Sequence, residues 1–334
     1  MKSIFGIFLL LLFVGALFAV SSPVIDLEKI SINIPAGENE EATSTPELKE
    51  VEEEPVQDLK TEIESLKKSV KEISESVILE PTPTPPPAPP AVKSEEIYAK
   101  GLQASLNIFC YDKTEGVYIM GSGAIIHPSG YVLTNAHLAT HFTEAGTECV
   151  LRRGSPAKNF ANAKVVWIPD QTKKIADGEI PMNDAAILKI TSMTDGSAVG
   201  NLEYFKIDPF YLIKEGERLY SLNYPTEFLG AETALRDANL VFSLGTVEKI
   251  VTIDEETSTA EGIYLKGELS AQHGSSGGIF LDLQNGNVVG LFVGLTEGAT
   301  TADRKQFMFM SSYLERIMVE DKGIGLSAFL ASSP

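Results

Sequence analysis

The apolar positions follow two different rhythms along the chain. In the N-terminal quarter they repeat at helical spacing. From about residue 95 onward they alternate with polar residues or run continuously over strand-length stretches: SLNIFCYD, GAIIHPSGYVLTNA, AKVVWI, AAILKI, ERLYSLNY, GTVEKIVTI, GIYLKGEL and GGIFLDLQNGNVVGLFVGL. Runs of this length bounded by Gly, Pro, Asn and Ser predict strands, and HPSGY and QNGN predict hairpin turns between them. Many short strands with few helical periods predict a mostly β domain, a barrel or a sandwich, over residues 95–334. One helix is predicted near the C-terminus, around SSYLERIMVE.

The helical rhythm lies over residues 56–80. Val56, Leu59, Ile63, Leu66, Val70, Ile73 and Val77 are spaced alternately by three and four. β-Branched residues at one seam position and mostly Leu at the other predict a short parallel two-stranded coiled coil, hence a homodimer or another homo-oligomer. In that register Glu62 and Lys67 form an attractive interchain pair; the alternative is a single amphipathic helix. Residues 81–94 are dominated by proline and read as a semi-rigid linker. Residues 22–55 are acidic and poor in aromatics, the composition of a disordered spacer.

Residues 1–21 read as a targeting or anchoring segment. Lys2 precedes Ile4–Val20, a stretch with no charged residue. That length is close to a membrane-spanning helix of about 20 residues and longer than a signal h-region of about 7–15. Ala19-Val20-Ser21 also suits a cleavage site, so a retained membrane anchor and a signal peptide both stand. Either way the remainder is expected outside the cytoplasm, anchored or secreted.

Charge and cysteine content narrow the partners. The net charge is −19, from 46 acidic and 27 basic residues. Such a chain repels polyanions, which excludes nucleic acid as an expected partner. Cys110 and Cys149 are the two cysteines, too far apart for a CxxC metal site. Both sit in strand-like runs, and export permits a disulfide; a bridge and two buried thiols are both open. No metal and no cofactor are expected.

The chemistry centres on AQHGSSGGIF, residues 271–280. Ser276 lies among small residues and fits G-x-S-x-G, but a serine nucleophile needs a base and a carboxylate to orient it. The four histidines are His127, His137, His141 and His273, and none follows Ser276. This excludes a nucleophile elbow, whose order is Ser, acid, His. His137, after a strand-like run, and Asp184, at the mouth of the AAILKI strand, give the order His, Asp, Ser instead. Asp112 allows a subtilisin order, but that fold needs helices and parallel strands that this chain lacks. His137 and His141 are four apart, yet Leu138 stands where a zinc protease needs Glu. His127, before Pro128, is expected to be an exposed turn residue.

GSGAIIHPSGYVLTNAHLA, DAAILKI and GSSGG, in that order, resemble the trypsin-like serine proteases, particularly bacterial HtrA/DegP-type protease domains, over about residues 100 to 320. The resemblance implies an all-β fold of two six-stranded antiparallel barrels of chymotrypsin type, preceded here by the hydrophobic N-terminal helix and the coil. It implies Ser276 as nucleophile, His137 as general base and then acid, Asp184 as its orienter, and the Gly274 and Ser276 N–H groups as an oxyanion hole. Family geometry puts the substrate pocket between Ser270, Ala271 and Gln272 on one wall and Val293, Gly294 and Leu295 on the other. With no Asp at its base, small or medium apolar side chains are the expected preference.

Three departures accompany the resemblance. Ser275 stands where the family commonly has Asp or Asn, which argues against activation by a newly cut N-terminus. The 58 residues after Ser276 complete the second barrel and leave no room for a PDZ domain. His273 adjoins the oxyanion loop and is expected to be an ordinary surface histidine. The implied function is an exported serine endopeptidase acting on extracytoplasmic protein or peptide substrates through an acyl-enzyme. The alternative is a catalytically silent pseudoprotease used as a tethered oligomeric binding module.

Overall fold

The computed structural model describes residues 63–69, 92–170, 182–253, 259–268, 272–296, 300 and 303–332. The chain divides into two units, Met1–Thr84 and Pro85–Pro334. In the first, residues 63–69 are helical, and Ile63 and Leu66 of the heptad face solvent. The other heptad positions, the hydrophobic N-terminal segment, the acidic spacer and the linker through residue 91 lie outside the described residues. Among the described residues, no helix is long and apolar enough to cross a membrane.

The second unit carries twelve strands in two closed barrels. The first comprises β1 (Ser105–Asp112), β2 (Val117–His127), β3 (Tyr131–Thr134), β4 (Thr147–Gly154), β5 (Ala157–Trp167) and β6 (Ala186–Met193), in the order β1-β2-β3-β6-β5-β4. The second comprises β7 (Arg218–Asn223), β8 (Val241–Val251), β9 (Gly262–Glu268), β10 (Ile279–Asp282), β11 (Val288–Leu295) and β12 (Gln306–Met310), in the order β10-β11-β12-β9-β8-β7. The pairings within the barrels are antiparallel, as expected. HPSGY and QNGN do form the β2–β3 and β10–β11 turns.

Each barrel is filled by the inward half of its alternating pattern. Leu106, Ile108, Cys110, Ile125, Val132, Leu151 and Leu188 fill the first. Leu219, Val247, Ile263, Phe280, Phe292 and Met308 fill the second. A third cluster takes residues from both barrels, including Leu133, Ile187, Leu222, Tyr224, Leu291 and Phe309, and forms the floor between them. Burying each such side chain contributes about 1.5–3 kcal/mol, so the junction adds to stability as the barrel interiors do.

Beyond the helix α4 (Ser311–Lys322) read from the sequence, the described residues of the second unit include the shorter α-helices α1 (Ser94–Ala104), α2 (Ala136–Ala139), α3 (Ala231–Arg236) and α5 (Leu326–Ser332). Their apolar residues are too few to raise a helical period above the strand pattern.

Cys110 and Cys149 face each other across β1 and β4 and are disulfide-bonded. Beside them Arg152 is buried, without a carboxylate partner among the described residues. Its Nε donates to Asn107 Oδ1 at 2.7 Å and its Nη1 to Leu235 O at 2.6 Å, while the guanidinium lies 4.3 Å from the Phe109 ring centroid. Burial pushes its pKa down to about 10. This side chain ties β4 of the first barrel to α3 of the second.

Candidate active site

β3 ends at Thr134, and Asn135 continues extended into the single turn of α2, which carries His137. Asn135 Nδ2 donates to the Asp184 carbonyl at 2.8 Å, joining that turn to the entry of β6. The Asp184 carboxylate then meets His137 twice: Oδ1 accepts the His137 backbone N–H at 2.9 Å, and Oδ2 lies 2.7 Å from Nδ1. Asp184 is 1% exposed, whereas the His137 side chain is 46% exposed. An ionised carboxylate only accepts, so Nδ1 carries the hydrogen and a neutral ring presents its Nε2 lone pair outward. The residue before the carboxylate, Asn183, adopts φ 60°, the left-handed region that Asn tolerates better than most. The Tyr313 hydroxyl of α4 donates to its Oδ1.

Ser276 belongs to the second barrel, on the loop entering β10. Ser275 N–H donates to Gln272 O at 3.2 Å, Gly274 has φ +92°, and His273 has negative φ. That combination is a type II turn, whose third residue needs the conformation glycine accepts. A Cβ at Gly274 would also lie 2.5 Å from Thr226 Oγ1 and 2.8 Å from Tyr224 O. The His273 carbonyl accepts from Thr226 N–H at 2.9 Å. Since C=O and N–H of a trans peptide point in opposite directions, fixing that carbonyl aims the Gly274 N–H the other way.

The amide hydrogens of the loop divide into two sets. His273 N–H donates to Glu227 Oε2, Ser275 N–H to Gln272 O, Gly277 N–H to Phe292 O and Gly278 N–H to Ser275 O. Among the described residues, the Gly274 and Ser276 N–H groups have no acceptor. Two unengaged donors, one residue apart and beside a serine hydroxyl, can together receive an anionic oxygen.

Ser122, in β2 of the first barrel, holds this loop against the barrel that carries His137. Its N–H donates to Ser276 O at 2.7 Å and its hydroxyl to Gly274 O at 2.8 Å, while the same hydroxyl accepts Tyr224 N–H at 2.9 Å. Thr134 Oγ1 donates to Ser122 O at 2.8 Å. Gly277, at φ +82°, packs so closely that a Cβ would lie 2.0 Å from Ser122 O and 2.5 Å from Thr134 Oγ1. Thr134 stands three residues before His137, so the seat of the serine loop and the support of the histidine are one piece of backbone. Among the described residues, Ser276 Oγ makes no hydrogen bond; catalytic contacts of this kind often tighten only when substrate is bound.

Behind the serine, Ser275 is buried, and its hydroxyl donates to Asn223 Oδ1 at 3.1 Å. It supplies a neutral hydrogen bond where a charged residue would supply an ion pair. Glu227 lies on the open side of the turn, with both carboxylate oxygens on Arg304, whose proximity holds its carboxyl below the usual carboxylate range.

The remaining sequence-predicted residues fall in various places. Val293 is buried, whereas Gln272, Gly294 and Leu295 are half-buried; Ser270 and Ala271 lie outside the described residues. The strand carrying Val293, Gly294 and Leu295 is joined to the serine loop by the Gly277–Phe292 and Phe292–Gly278 backbone bonds. His273 exposes its ring, as expected, but engages the site through both of its backbone groups. His127 is not the exposed turn residue anticipated: it is half-buried with Nδ1 2.7 Å from Ser129 Oγ, and desolvation lowers its pKa. His141 pairs with Glu144 at 2.6 Å. Asp112 caps its own hairpin by accepting from Thr114 and Glu115 N–H. Among the described residues, no three His, Cys, Asp or Glu side chains are grouped to hold a metal.

Ser122, Thr134, Asn223, Thr226, Glu227 and Arg304 escaped sequence reasoning. The one available signal was Ser122 in the GSG that opens the first motif.

No curated protein matches the sequence. Solved structures similar to the chain include the Rv3671c protease of M. tuberculosis in its active form, at 17% identity, covering 74% of this chain and 95% of that one with a TM-score of 0.43. The HtrA-type protease AlgW with a tripeptide is 16% identical, covers 70% of this chain and 65% of that one, and has a TM-score of 0.47. Deg5 is 17% identical over 67% of this chain and 94% of that one, with a TM-score of 0.43. The family model described as a trypsin-like peptidase domain matches residues 121–291, just over half of the chain, from the GSG of β2 through the serine loop into β11. The chain belongs to the trypsin-like peptidase domain family and is a serine endopeptidase.

Proposed function

We propose that this endopeptidase cuts extracytoplasmic proteins with Ser276 as nucleophile, His137 as base and acid, and Asp184 as the group that orients His137. The observation that carries the reading is the pair of unengaged N–H donors at Gly274 and Ser276, set among the bonded amides of His273, Ser275, Gly277 and Gly278. The two-point attachment of His137 to Asp184 supports it.

In this reading Ser276 Oγ attacks the scissile carbonyl carbon as His137 Nε2 takes the hydroxyl proton. The carbonyl oxygen becomes an oxyanion held by the Gly274 and Ser276 N–H groups. The C–N bond then breaks, the leaving amine takes the proton from His137, and an acyl ester remains on Ser276. A water, deprotonated by the same nitrogen, attacks that ester; the acyl C–Oγ bond breaks, Ser276 Oγ takes the proton back from His137, and the freed acid ionises to the new carboxylate. Asp184 keeps its charge throughout and stabilises the imidazolium. A pocket between Gln272 and the Gly294–Leu295 edge takes a small or medium apolar side chain. The hydrophobic N-terminal segment exports the chain and anchors it until any cleavage, and residues 56–80 assemble it into a parallel dimer or other oligomer.

The test is labelling of the purified full-length chain with a fluorophosphonate probe, beside Ser276→Ala and His137→Ala. The expected result is labelling of the unaltered chain and none in either variant. Labelling that survives Ser276→Ala, or its absence from the unaltered chain, would overturn the assignment and favour the binding-module alternative.

A further inference from the structure

We propose that the Glu227–Arg304 ion pair is a positioning device that keeps the serine loop in its donating turn, so that the oxyanion site depends on a charge pair lying outside the triad. The inference rests on the catalytic reading of Ser276 given above.

Two neighbouring groups hold the His273 backbone. Thr226 N–H takes its carbonyl at 2.9 Å, and Glu227 Oε2 takes its amide hydrogen at 3.1 Å. Two consecutive residues after β7 thus pin two consecutive peptides, 272–273 and 273–274, and the second supplies the Gly274 donor. Reversing that peptide would convert the type II turn to type I, turn the Gly274 N–H away from the cleft and break the bond to Thr226.

Glu227 can hold its place because Arg304 Nη1 sits 3.0 Å and 2.8 Å from its two oxygens, with both side chains 18% exposed. Arg304 lies just before β12, on the connection from the β11 strand that edges the proposed pocket. The clamp therefore spans from the segment after β7, across the turn, to the segment before β12.

Chemistry explains why such a device is needed here. A bare carboxylate beside an oxyanion site would oppose the negative charge that develops in the transition state. Paired with a guanidinium, it can fix the backbone without that penalty. The neutral Ser275 behind the turn contributes a hydroxyl hydrogen bond and no charge, so the ionic restraint on this loop comes from the Glu227–Arg304 pair.

The test compares the full-length chain with Glu227→Ala, Arg304→Ala, Arg304→Lys and the reversed pair Glu227→Arg with Arg304→Glu, reading fluorophosphonate labelling rate and Tm. Glu227→Ala and Arg304→Ala are expected to slow labelling about tenfold to hundredfold, below the full loss of one oxyanion donor. Their Tm should stay within about 4 °C, as for a partly exposed ion pair. Arg304→Lys should retain a rate within about threefold, since a single nitrogen makes both contacts and an ammonium can stand there. The reversed pair should recover Tm but not labelling, because residue 227 then has no acceptor for the His273 N–H. Unchanged labelling in both alanine variants, or recovery of labelling by the reversed pair, would overturn the proposal while leaving the triad assignment intact. An unaltered chain that fails to label at all would instead refute the catalytic reading, and this inference with it.

Discussion

Replacing Ser122 with alanine removes one oxygen and leaves two buried main-chain groups without partners. The hydroxyl donates to Gly274 O at 2.8 Å and accepts Tyr224 N–H at 2.9 Å, in a residue 1% exposed. A buried polar group left unsatisfied costs about 1–3 kcal/mol, so the two together cost about 2–6 kcal/mol. Backbone relaxation favours the lower half of that range. For a domain of this size 1 kcal/mol corresponds to about 2–4 °C, so Tm should fall by roughly 4–16 °C. The Ser122 N–H to Ser276 O bond does not need the hydroxyl, so Ser276 keeps its backbone anchor while the Gly274 side loosens. Labelling by a fluorophosphonate should therefore slow about tenfold without being abolished, a fraction of the loss of a complete oxyanion donor. Thermal unfolding followed by circular dichroism gives the first quantity and timed labelling gives the second. A Tm within 2 °C of the parent would refute the claim that these two groups depend on the hydroxyl.

Other perturbations test other links. Asp184→Asn keeps the shape but offers Nδ1 the wrong partner, and kcat should fall by about four orders of magnitude with little change in KM; a loss below tenfold would contradict its orienting role. Gly277→Ala places a methyl 2.0 Å from Ser122 O at φ +82°, so the protein should lose several kcal/mol, about 4 or more, and melt far earlier if it folds at all. Arg304 depresses the Glu227 pKa, so this carboxylate's contribution is present above the ordinary glutamate range near 4.3 and is lost as pH falls through its folded value. The Tm gap between the parent and Glu227→Gln should accordingly be widest at pH 6 and shrink below pH 4; a gap that widens on acidification would contradict the pairing. The disulfide closes a separation of 39 residues, and the paired change Cys110→Ser with Cys149→Ser should lower stability by about 4 kcal/mol on the chain-entropy estimate, measured by denaturant unfolding.

The strands were legible because each barrel side chain repeats a local choice, inward or outward, that alternation records. Leu106, Ile108 and Cys110 reveal β1 without reference to any other element. The closed double barrel came through the three motifs rather than the strands, since alternation cannot say which edges meet. His137, Asp184 and Ser276 were identified by residue type and order, and the structure adds the hydrogen bonds between His137 and Asp184. The disulfide could be raised as an option but not decided, because pairing depends on β1 lying beside β4. Ser122, Glu227 and Arg304 were invisible for a related reason. Ser122 meets Gly274 across 152 positions and Glu227 meets Arg304 across 77, and an ordinary serine, glutamate or arginine carries no local mark of a distant partner. His273 shows the same limit at closer range: its imidazole suggested a surface residue, whereas its backbone is what the turn uses.

The bond between Ser122 and the serine loop joins parts of the chain that are synthesised far apart in time. A polypeptide growing from its N-terminus completes β6, and with it the barrel holding His137 and Asp184, long before Ser276 exists. The second barrel then closes only when β12 arrives, thirty residues after the nucleophile. Until that strand is in place, the second barrel is open, and nothing holds the serine loop fixed against the waiting surface of Ser122 and Thr134. In the proposed reading the order of synthesis thus acts as a timer: a half-made chain holds His137 with no serine to deprotonate, and cutting power appears only once the whole domain has been built.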